Sequence, residues 1–474
     1  MVLAAATLAC AVHPPRPTIE ACSSLDKDTR DRKLGGNLRD AINHALETSR
    51  ASVQDDFGEA QCPAALEIDI AGDADGHLPN PPGQLTSERA GRRQYYYGIR
   101  PSHGLPASAD LLGFVCKAAT LAAVEKIELY HGIPSDPMPE YTVSAPASHA
   151  NDQWMGEIHD AYLGDIPSSK TVAIIDTGII PEHEDLPPIQ RFRVVESLNE
   201  NGSCGSNGCC TPVKDKSTNE WHATAVAGTI AAKREPQNVG IDGLSMPARL
   251  IAIDVSEGVP NCTVLPKIAV AMQCALQHCA DAINFSMGGD TGDLPSSLQS
   301  VLDMAADRNV LVVSAAGNTS NDLDTKPFWP AAYKTSTSIT ATTGGTKTGS
   351  WGHKAYGSKT VDLAVPVRNA NVQSTSNKGH YINYGMTSAA AAIVTGTAIS
   401  LWSRPEYSNC SAAQIKQILM NETLPLPPPF QWLISPLGGV LDFGFIAEQS
   451  VPPPDMCTPP LINAPPSLSL SQAK

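Results

Sequence analysis

The sequence predicts a doubly wound α/β domain with a mainly parallel sheet, preceded by a small α+β domain. From Thr171 onward, short apolar runs alternate with helix-like stretches over about 230 residues, which is typical of doubly wound folds. The runs are apolar along their whole length. Such strands indicate a parallel sheet that is covered on both faces.

The predicted strands of the larger domain are the four continuous apolar runs. They cover residues 171–176, 249–255, 282–287 and 309–314. The predicted helices lie between and after them, over residues 222–232, 267–279, 297–308, 387–402 and 412–421. In an open sheet of this kind, functional side chains gather where the strands end. The residues that follow the strands are therefore the candidates for chemistry.

Composition divides the 474 residues into four segments. Residues 1–12 are apolar and contain an Ala-Cys-Ala pattern that suits signal-peptidase cleavage, so we expect a signal peptide there. Residues 13–140 carry charged patches, and an apolar stretch from Leu112 to Ile127 predicts a helix and a strand. Residues 141–450 hold the α/β domain. The Pro-rich residues 451–474 predict an extended tail.

The charge balance excludes two classes of partner. The formal net charge is −15, which argues against nucleic acid and against anionic lipid. Outside the first twelve residues no uninterrupted apolar run reaches the ~20 residues of a bilayer span. We therefore expect no nucleic acid partner and no membrane span. We also expect the protein to be a monomer.

Cysteine usage indicates the compartment. The chain has twelve cysteines and none forms a CxxC pair, so zinc and thioredoxin-type redox sites are disfavoured. Disulfides are the remaining interpretation, and they predict a secreted or lumenal protein. Scattered buried thiols are the alternative.

Four polar residues lie where strands end or helices begin. Asp176 ends the first predicted strand, Asn318 follows the fourth, and His222 and Ser388 each begin an Ala-rich helix. Each residue alone suits a cap, turn or surface role. A hydroxyl at a helix N-terminus also gains from free amides and the helix dipole, and an Asn amide can point at a developing oxyanion. Together they indicate nucleophilic chemistry.

The region from about 150 to 447 resembles the subtilases, the subtilisin-like serine proteases. Five motifs carry the resemblance, in the family's order: Thr171–Ile179 (TVAIIDTGI), His222–Thr229 (HATAVAGT), Ala282–Gly289 (AINFSMGG), Val313–Asn318 (VSAAGN) and Gly385–Ala392 (GMTSAAAA). The resemblance implies that Asp176, His222 and Ser388 form the catalytic triad. It implies that Asn318 is the side-chain donor to the oxyanion.

The same motifs imply a substrate pocket. Its walls would be formed by Ser286, Met287 and Gly288 on one side and by Ala315, Ala316 and Gly317 on the other. None of these residues carries a charge, so the preferred substrate side chain stays open. Whether Asp322 and Asp324, which follow the oxyanion motif, reach the pocket also stays open.

The sequence departs from the family's pattern at several positions. Ala223 and Ala225 replace a Gly and a second His after His222, and Met386 replaces the Gly before the Thr-Ser pair. Ala389 and Ala392 replace the usual Met and Pro. None of these changes removes a triad member or the oxyanion donor, while a side chain at 386 could crowd a bound substrate.

The resemblance also gives the N-terminal segment a role. Subtilases carry an inhibitory prodomain that assists folding and is then removed. Val124–Glu128 resembles the closing strand of that prodomain, and Asn151–Trp154 resembles the start of many mature domains. The resemblance thus predicts a prodomain over residues 13–140, acting as an intramolecular inhibitor, and a maturation cut between about 130 and 150.

Calcium is a further expectation from the resemblance. Asp185 matches a calcium-ligating Asp of many family members, and Gln237–Asp242 resembles a loop that supplies carbonyl ligands. Hard oxygen ligands suit Ca²⁺ in a structural site. An ordinary acidic turn is the alternative. Catalysis itself would need no cofactor.

The resemblance implies a secreted serine endopeptidase, made as a zymogen, that cleaves proteins and peptides through an acyl-enzyme. The main alternative is a catalytically inactive homologue that acts as a binding protein. A non-proteolytic hydrolase is disfavoured because its nucleophile motif is missing: Gly243–Pro247 departs from GxSxG at its last position.

Overall fold

A computed structural model gives the architecture of the chain. It describes residues 65–70, 78, 85–91, 94–99, 108–122, 124–130, 133–134, 142–143, 167–194, 210–213, 221–233, 241–247, 249–256, 262–263, 265–289, 293–342, 354–367, 372–376, 380–426, 433–436 and 438–442. The predicted signal peptide (residues 1–12) and Pro-rich tail (residues 451–474) lie outside the described residues.

The N-terminal segment contains a four-stranded antiparallel sheet and a helix. The strands are β1 (Ala65–Ile70), β2 (Leu85–Gly91), β3 (Gln94–Ile99) and β4 (Val124–Tyr130), in the order β2-β3-β1-β4, and the helix is α1 (Ser108–Ala119). Leu111, Val115 and Ile127 are buried between helix and sheet. The structure therefore confirms the helix and strand predicted between residues 112 and 127.

The C-terminal part is built on a ten-stranded sheet. Its strands are β7 (Thr171–Asp176), β8 (Ile189–Val194), β9 (Cys210–Pro212), β10 (Arg249–Asp254), β12 (Ala282–Phe285), β13 (Leu311–Ala315), β14 (Thr337–Thr342), β15 (Leu363–Pro366), β18 (Thr423–Leu424) and β19 (Val440–Leu441). The order is β18-β19-β15-β14-β13-β12-β7-β10-β8-β9, parallel except for the β18–β19 and β8–β9 pairs at the two edges. The predicted mainly parallel sheet is confirmed.

Two short sheets join the N-terminal segment to this domain. β5 (Ile133–Pro134) pairs with β11 (Cys262–Thr263), and β6 (Thr142–Val143) pairs with β17 (Tyr381–Tyr384), which in turn pairs with β16 (Val372–Thr375). All of these pairs are antiparallel. Two stretches within the predicted maturation region, residues 133–134 and 142–143, therefore pair through their backbone with strands of the larger domain.

Helices cover both faces of the large sheet. They are α2 (Trp221–Ala231), α3 (Leu265–Gln277), α4 (Ser296–Asp307), α5 (Met386–Ser403) and α6 (Ala412–Asn421). Along β7, Val172 and Ile174 belong to the apolar cluster that includes α2, α5 and α6, whereas Ala173 and Ile175 belong to the cluster that includes α3 and α4. This two-sided burial is the reason the strand is apolar throughout, and it confirms the doubly wound fold.

Helix α5 is the central helix of the domain. By length and composition alone it could cross a bilayer, but 89% of its apolar window is buried inside the fold. Core helices of soluble proteins commonly meet the same criterion, so α5 is weak evidence for a membrane span. Its short Ala, Ser and Thr side chains let neighbouring elements approach closely.

Disulfides occur in both parts of the chain. Cys210 at the sheet edge is bonded to Cys274 on α3, and Cys116 and Cys410 are also disulfide-bonded. Cys279 is free and exposed. The disulfide interpretation of the cysteine count is therefore supported over scattered thiols.

Candidate active site

Asp176 and His222 form a buried pair where β7 ends. His222 Nδ1 lies 2.9 Å from Asp176 Oδ1 and 3.0 Å from Oδ2. Thr177 also donates to Oδ1, from its backbone amide at 2.7 Å and from its hydroxyl at 3.2 Å. The carboxylate thus accepts from both neighbours, and it is 0% exposed while His222 is 5% exposed. Because an ionised carboxylate only accepts, the proton of the imidazole is on Nδ1, and Nε2 is the basic nitrogen.

The ring of His222 is also held from the side. The neighbouring Trp221 indole packs edge-on against it, with the ring centroids 5.2 Å apart. Both residues are buried at the first turn of α2. This contact and the bond to Asp176 restrict the imidazole to one orientation.

Ser388 lies in the first turn of α5 and is 2% exposed. Its hydroxyl donates to the carbonyl oxygen of Ser286 at 2.8 Å, and its own carbonyl accepts from the Ser286 hydroxyl at 3.0 Å. The two serines therefore exchange hydrogen bonds between the end of β12 and the start of α5. The prediction extended β12 to residue 287, but the strand ends at Phe285. This earlier end lets Ser286 leave the sheet and reach Ser388.

A buried amide, Asn284, supports this serine pair. Its Nδ2 donates to Ser286 Oγ at 2.9 Å, and its Oδ1 accepts from the Thr395 hydroxyl, also at 2.9 Å. Asn284 is fully buried within β12, and Thr395 lies two turns along α5 from Ser388. Satisfied polar networks of this kind favour one arrangement of a core. Sequence reasoning placed Asn284 in the core but missed this role, although an amide in an apolar strand was the available signal.

Asn318 is oriented by the residue that precedes Ser388. The Asn318 Oδ1 atom accepts from the Thr387 backbone amide at 3.1 Å and from the Thr387 hydroxyl at 2.8 Å. A backbone amide can only donate, so this bond identifies the oxygen and fixes the direction of the NH₂ group. The first amides of a helix have no partner within it. The Asn318 amide and the N-terminal amides of α5 thus occupy neighbouring positions.

The helix that carries His222 packs closely on β16 because its residues are small. The hydroxyls of Ser374 and Thr375 donate to the carbonyls of Ala225 and Thr224, at 2.6 Å and 2.7 Å. A Cβ atom at Gly228 would overlap both side chains. The glycine and the alanines of α2 therefore permit a short distance between helix and strand.

Tyr384 links helix α2 to the backbone that leads into helix α5, which carries Ser388. Its hydroxyl lies 2.6 Å from Thr229 Oγ1 on α2, and it immediately precedes Gly385 at the start of α5. Burial raises the pKa of the Tyr384 phenol, and the hydrogen bond to Thr229 offsets only part of this effect. The phenol therefore stays protonated and keeps the bond.

Met386 has an unfavourable backbone conformation. Its φ is +59°, in the left-handed region that favours glycine, and the residue is half-buried. This position is the one where the resemblance places Gly. The structure thus gives a physical reason for Gly there, since a Cβ atom in this region costs about 1–2 kcal/mol.

We predict that Met386→Gly increases the free energy of unfolding by about 1 kcal/mol, because glycine relieves the left-handed strain but loses more chain entropy on folding. Met386→Ala is the matched control, since it removes the same side chain and keeps the strained backbone. Denaturant unfolding of each variant, combined with Ser388→Ala to prevent self-digestion, would measure the two free energies of unfolding. Equal stability of the two variants would contradict the prediction.

The six residues predicted as pocket walls lie on two segments near Ser388. Ser286, Met287 and Gly288 follow β12, and Ala315, Ala316 and Gly317 form the end of β13 and the turn before Asn318. Gly317 has φ +104°, which explains the need for glycine there. The aromatic ring of Phe328 lies against both segments, which sequence reasoning missed because Phe328 is in a loop.

The carboxylate of Asp324 is hydrogen-bonded to a turn at residues 358–360. Its carboxylate accepts from the hydroxyls of Ser358 and Thr360, at 2.9 Å and 2.8 Å, and from the amides of Lys359 and Thr360. Partial burial acts to raise the pKa of Asp324, but the hydrogen bonds outweigh it and hold the pKa below its ordinary value. Asp322 Oδ1 accepts from the Asp324 amide at 3.0 Å. The Asp324 carboxylate thus fastens the loop after β13 to the turn at 357–360.

Asp185, the expected calcium ligand, is buried among donors. Its Oδ2 accepts from the Ile241 amide at 3.2 Å and from the Tyr381 hydroxyl at 2.8 Å. Among the described residues, no cluster of three or more His, Cys, Asp or Glu side chains includes Asp185. Residues 237–240 of the expected ligand loop lie outside the described residues. The described donors therefore engage Oδ2, and the expected calcium site stays a prediction.

In the part of the chain that the structure describes, one cluster contains metal-ligating side chains. Cys210, Cys274 and His278 lie with their ligand atoms within 4.8 Å of one another. The two sulfurs are joined in a disulfide, so they provide no thiolate. The His278 ring instead packs on Phe192, with ring centroids 4.0 Å apart.

Comparison with known proteins gives the same fold and family. The sequence profile of the subtilase family matches residues 168–440, which include all five motifs. Subtilisin E of Bacillus subtilis (strain 168) is 29% identical over 338 residues, which cover 71% of this chain and 78% of subtilisin E. Thermitase of Thermoactinomyces vulgaris is 30% identical over 256 residues, which cover 54% of this chain and 81% of thermitase.

A solved structure has a similar fold. Fervidolysin from Fervidobacterium pennivorans, a keratinolytic enzyme related to subtilisin, superposes with a TM-score of 0.62 at 20% sequence identity. The match covers 83% of this chain and 62% of fervidolysin. At this identity the likeness shows the fold alone.

Proposed function

This chain belongs to the subtilase family of serine peptidases, and we propose that it is a secreted endopeptidase, made as a zymogen, that cleaves proteins and peptides. The observation that carries the proposal is the buried His222–Asp176 pair at the carboxyl edge of the sheet, together with Ser388 at the start of α5. Peptide hydrolysis by the processed chain, compared with a Ser388→Ala variant, tests it.

In the proposed reaction, Ser388 Oγ attacks the peptide carbonyl while His222 Nε2 removes its proton. The protonated His222 then gives that proton to the leaving amine, and a water molecule hydrolyses the acyl-enzyme in the same way. Asp176 holds the tautomer and stabilises the imidazolium without itself taking up the proton. The Nδ1 bond to Asp176 supports these roles, since it leaves Nε2 as the basic nitrogen.

The attack requires one small rearrangement. The Ser388 hydroxyl donates to Ser286 O at rest, so its hydrogen must be redirected toward His222 before the proton is transferred. Side-chain rotations between staggered positions are fast compared with turnover. We infer that the Ser286 carbonyl holds the nucleophile in a resting position until substrate binds.

The developing oxyanion would be held by Asn318 and the Ser388 amide. The Asn318 oxygen is engaged by Thr387, which directs the NH₂ group away from that residue. The Ser388 amide lies at the N-terminus of α5, where donors lack helical partners and the dipole favours negative charge. Fixed donors of this kind stabilise the transition state without reorganising.

The proposed role of the N-terminal segment as an inhibitor is supported by its contacts. β5 pairs antiparallel with β11, which lies in the connection from β10 to α3 at the carboxyl edge of the sheet. β2 of the N-terminal sheet also lies against α3. An extended segment added to an exposed strand is a common mode of peptide binding. The segment is therefore well placed to occupy a substrate position.

We predict that the active form lacks about the first 130 residues, because a maturation cut between about 130 and 150 releases the N-terminal sheet and helix. N-terminal sequencing of the purified active enzyme should give a start between about 130 and 150. A fully active enzyme that still began near residue 20 would contradict the prediction. The same preparation of Ser388→Ala should stay uncut if maturation is autocatalytic.

Secretion is supported by the disulfides, since Cys116, Cys210, Cys274 and Cys410 are all bonded and such bonds persist in oxidising compartments. An inactive homologue is the alternative function, and the presence of Asp176, His222, Ser388 and Asn318 argues against it. Structural calcium at Asp185 stays a secondary proposal, and none of the catalytic steps above depends on it.

A further inference from the structure

The side chain of Phe328 lies between the two segments that the resemblance gives as pocket walls. A Cβ atom added to Gly288 would lie 2.5 Å from Phe328 Cε1 and 3.1 Å from Cδ1. A Cβ atom added to Gly317 would lie 3.5 Å from Cδ2, Cε2 and Cζ of the same ring. Opposite edges of one ring thus face opposite walls, and the ring spans the gap between them.

The backbone around Phe328 is fixed in this position. Gly289 and Trp329 exchange both backbone hydrogen bonds, at 2.9 Å and 2.8 Å, and the Ala332 amide donates to the Phe328 carbonyl at 2.8 Å. A Cβ at Gly288 would also lie 2.5 Å from the Trp329 carbonyl oxygen, so only glycine permits this approach. The ring therefore cannot leave the gap by a simple movement of its loop.

Phe328 is half-buried, so part of the residue is accessible to solvent. Its buried side packs against an apolar cluster that includes Ala316 and Leu323. An apolar ring that is packed against the core and still partly accessible to solvent is suited to be the floor of a shallow pocket. The walls beside it are uncharged and short-chained except for Met287.

We propose that Phe328 fills the depth of the primary substrate pocket and restricts the residue before the cleaved bond to glycine, alanine or serine. This inference rests on the proposed peptidase function, because it concerns the pocket beside Ser388. A large side chain at that position would have to displace the ring, whereas a methyl or hydroxymethyl group would rest on it. Phe328 would then determine specificity without taking part in the chemistry.

An independent feature of the sequence agrees with this proposal. The last part of the predicted maturation region, residues 144–150, reads SAPASHA and is rich in alanine and serine. Residues 130–143 contain only two residues of this class, Gly132 and Ser135, among larger side chains such as Tyr130, Met138 and Tyr141. If the enzyme cuts its own chain, a pocket for small side chains predicts that the cut follows a small residue within 144–150.

Kinetics on two peptide substrates that differ only in alanine or phenylalanine before the cleaved bond would test the proposal. For the wild-type enzyme we expect kcat/KM to favour the alanine substrate by about 100-fold or more, since even one methylene can change it by 10–200-fold. Phe328→Ala should reduce this preference at least about tenfold, chiefly by faster cleavage of the phenylalanine substrate. Phe328→Leu should give an intermediate preference for the alanine substrate, and it provides the test if the alanine variant fails to fold.

Phe192→Ala is the matched control, because Phe192 is a buried ring at the far edge of the sheet, against His278. It should lower stability and leave the substrate preference unchanged. Active enzyme is counted in each preparation by titration with a fluorophosphonate. A labelled wild type that cleaves both substrates equally would overturn the pocket proposal alone. A processed chain that neither takes label nor cleaves either substrate would overturn the peptidase function and the pocket proposal together.

Discussion

Replacing Ser388 by alanine is expected to reduce kcat for peptide hydrolysis by about 10⁶-fold, with little change in KM. The hydroxyl is the proposed nucleophile, and no neighbouring group offers the same position at the start of α5. The hydroxyl also donates to Ser286 O, but that bond can be lost without leaving a buried donor. The variant should therefore fold and bind substrate while losing turnover.

Hydrolysis of a peptide substrate by processed chains would measure this effect, with the N-terminal segment of Ser388→Ala removed by an added protease that is then inactivated. Ser408→Ala is the matched control, since Ser408 is exposed and bonds only locally to the Pro405 carbonyl. It should retain wild-type kcat. A Ser388→Ala variant with more than about a hundredth of wild-type activity would show that another group performs the attack.

Replacing Asp176 by asparagine is expected to reduce kcat by about 10⁴-fold while leaving the fold intact. The Thr177 backbone amide can only donate, so the oxygen of the new asparagine would keep that hydrogen bond. The asparagine NH₂ group would then face His222 Nδ1. His222 Nδ1 would then have to accept, which moves the ring proton to Nε2. A protonated Nε2 cannot remove the Ser388 proton.

Asp254→Asn provides a control for loss of a carboxylate at the same sheet edge. Asp254 pairs in register with Asp176 on the adjacent strand, but its oxygens accept from Arg193 and Ser256. This variant should lose some stability and change kcat by less than about tenfold, because it does not change the tautomer of His222. Equal losses in the two variants would show that Asp176 acts through stability and not through His222.

Much of the fold could be predicted because its determinants are local. Apolar runs such as 171–176 and 282–285 are buried on both faces. This burial favours apolar residues at successive positions, so the strands can be recognised in the sequence. The Ala-rich stretches of α2 and α5 are likewise explained by close packing around the sheet. The predicted helix 412–421 has the observed bounds, and the other helix ends differ from the prediction by one or two residues, because helix ends are set by contacts that periodicity does not record.

The candidate site could be located but not fully described from the sequence. Asp176, His222 and Ser388 are each marked by a motif at a strand end or helix start. The Ser286–Ser388 exchange and the Asn284–Thr395 bond join residues more than 100 positions apart, so no local pattern predicts them. Phe328 was missed for the same reason, since its loop carries no periodic signal.

Covalent labelling of the processed wild-type chain with a fluorophosphonate, followed by mass spectrometry, tests the central claim most directly. The account predicts one adduct per chain, on the peptide that contains Ser388, and none in Ser388→Ala. The expected labelling depends on the same activation by His222 that peptide hydrolysis requires. A processed, folded wild type that takes no label, or takes it on another residue, would contradict the assignment of this chain as a serine endopeptidase acting through Ser388.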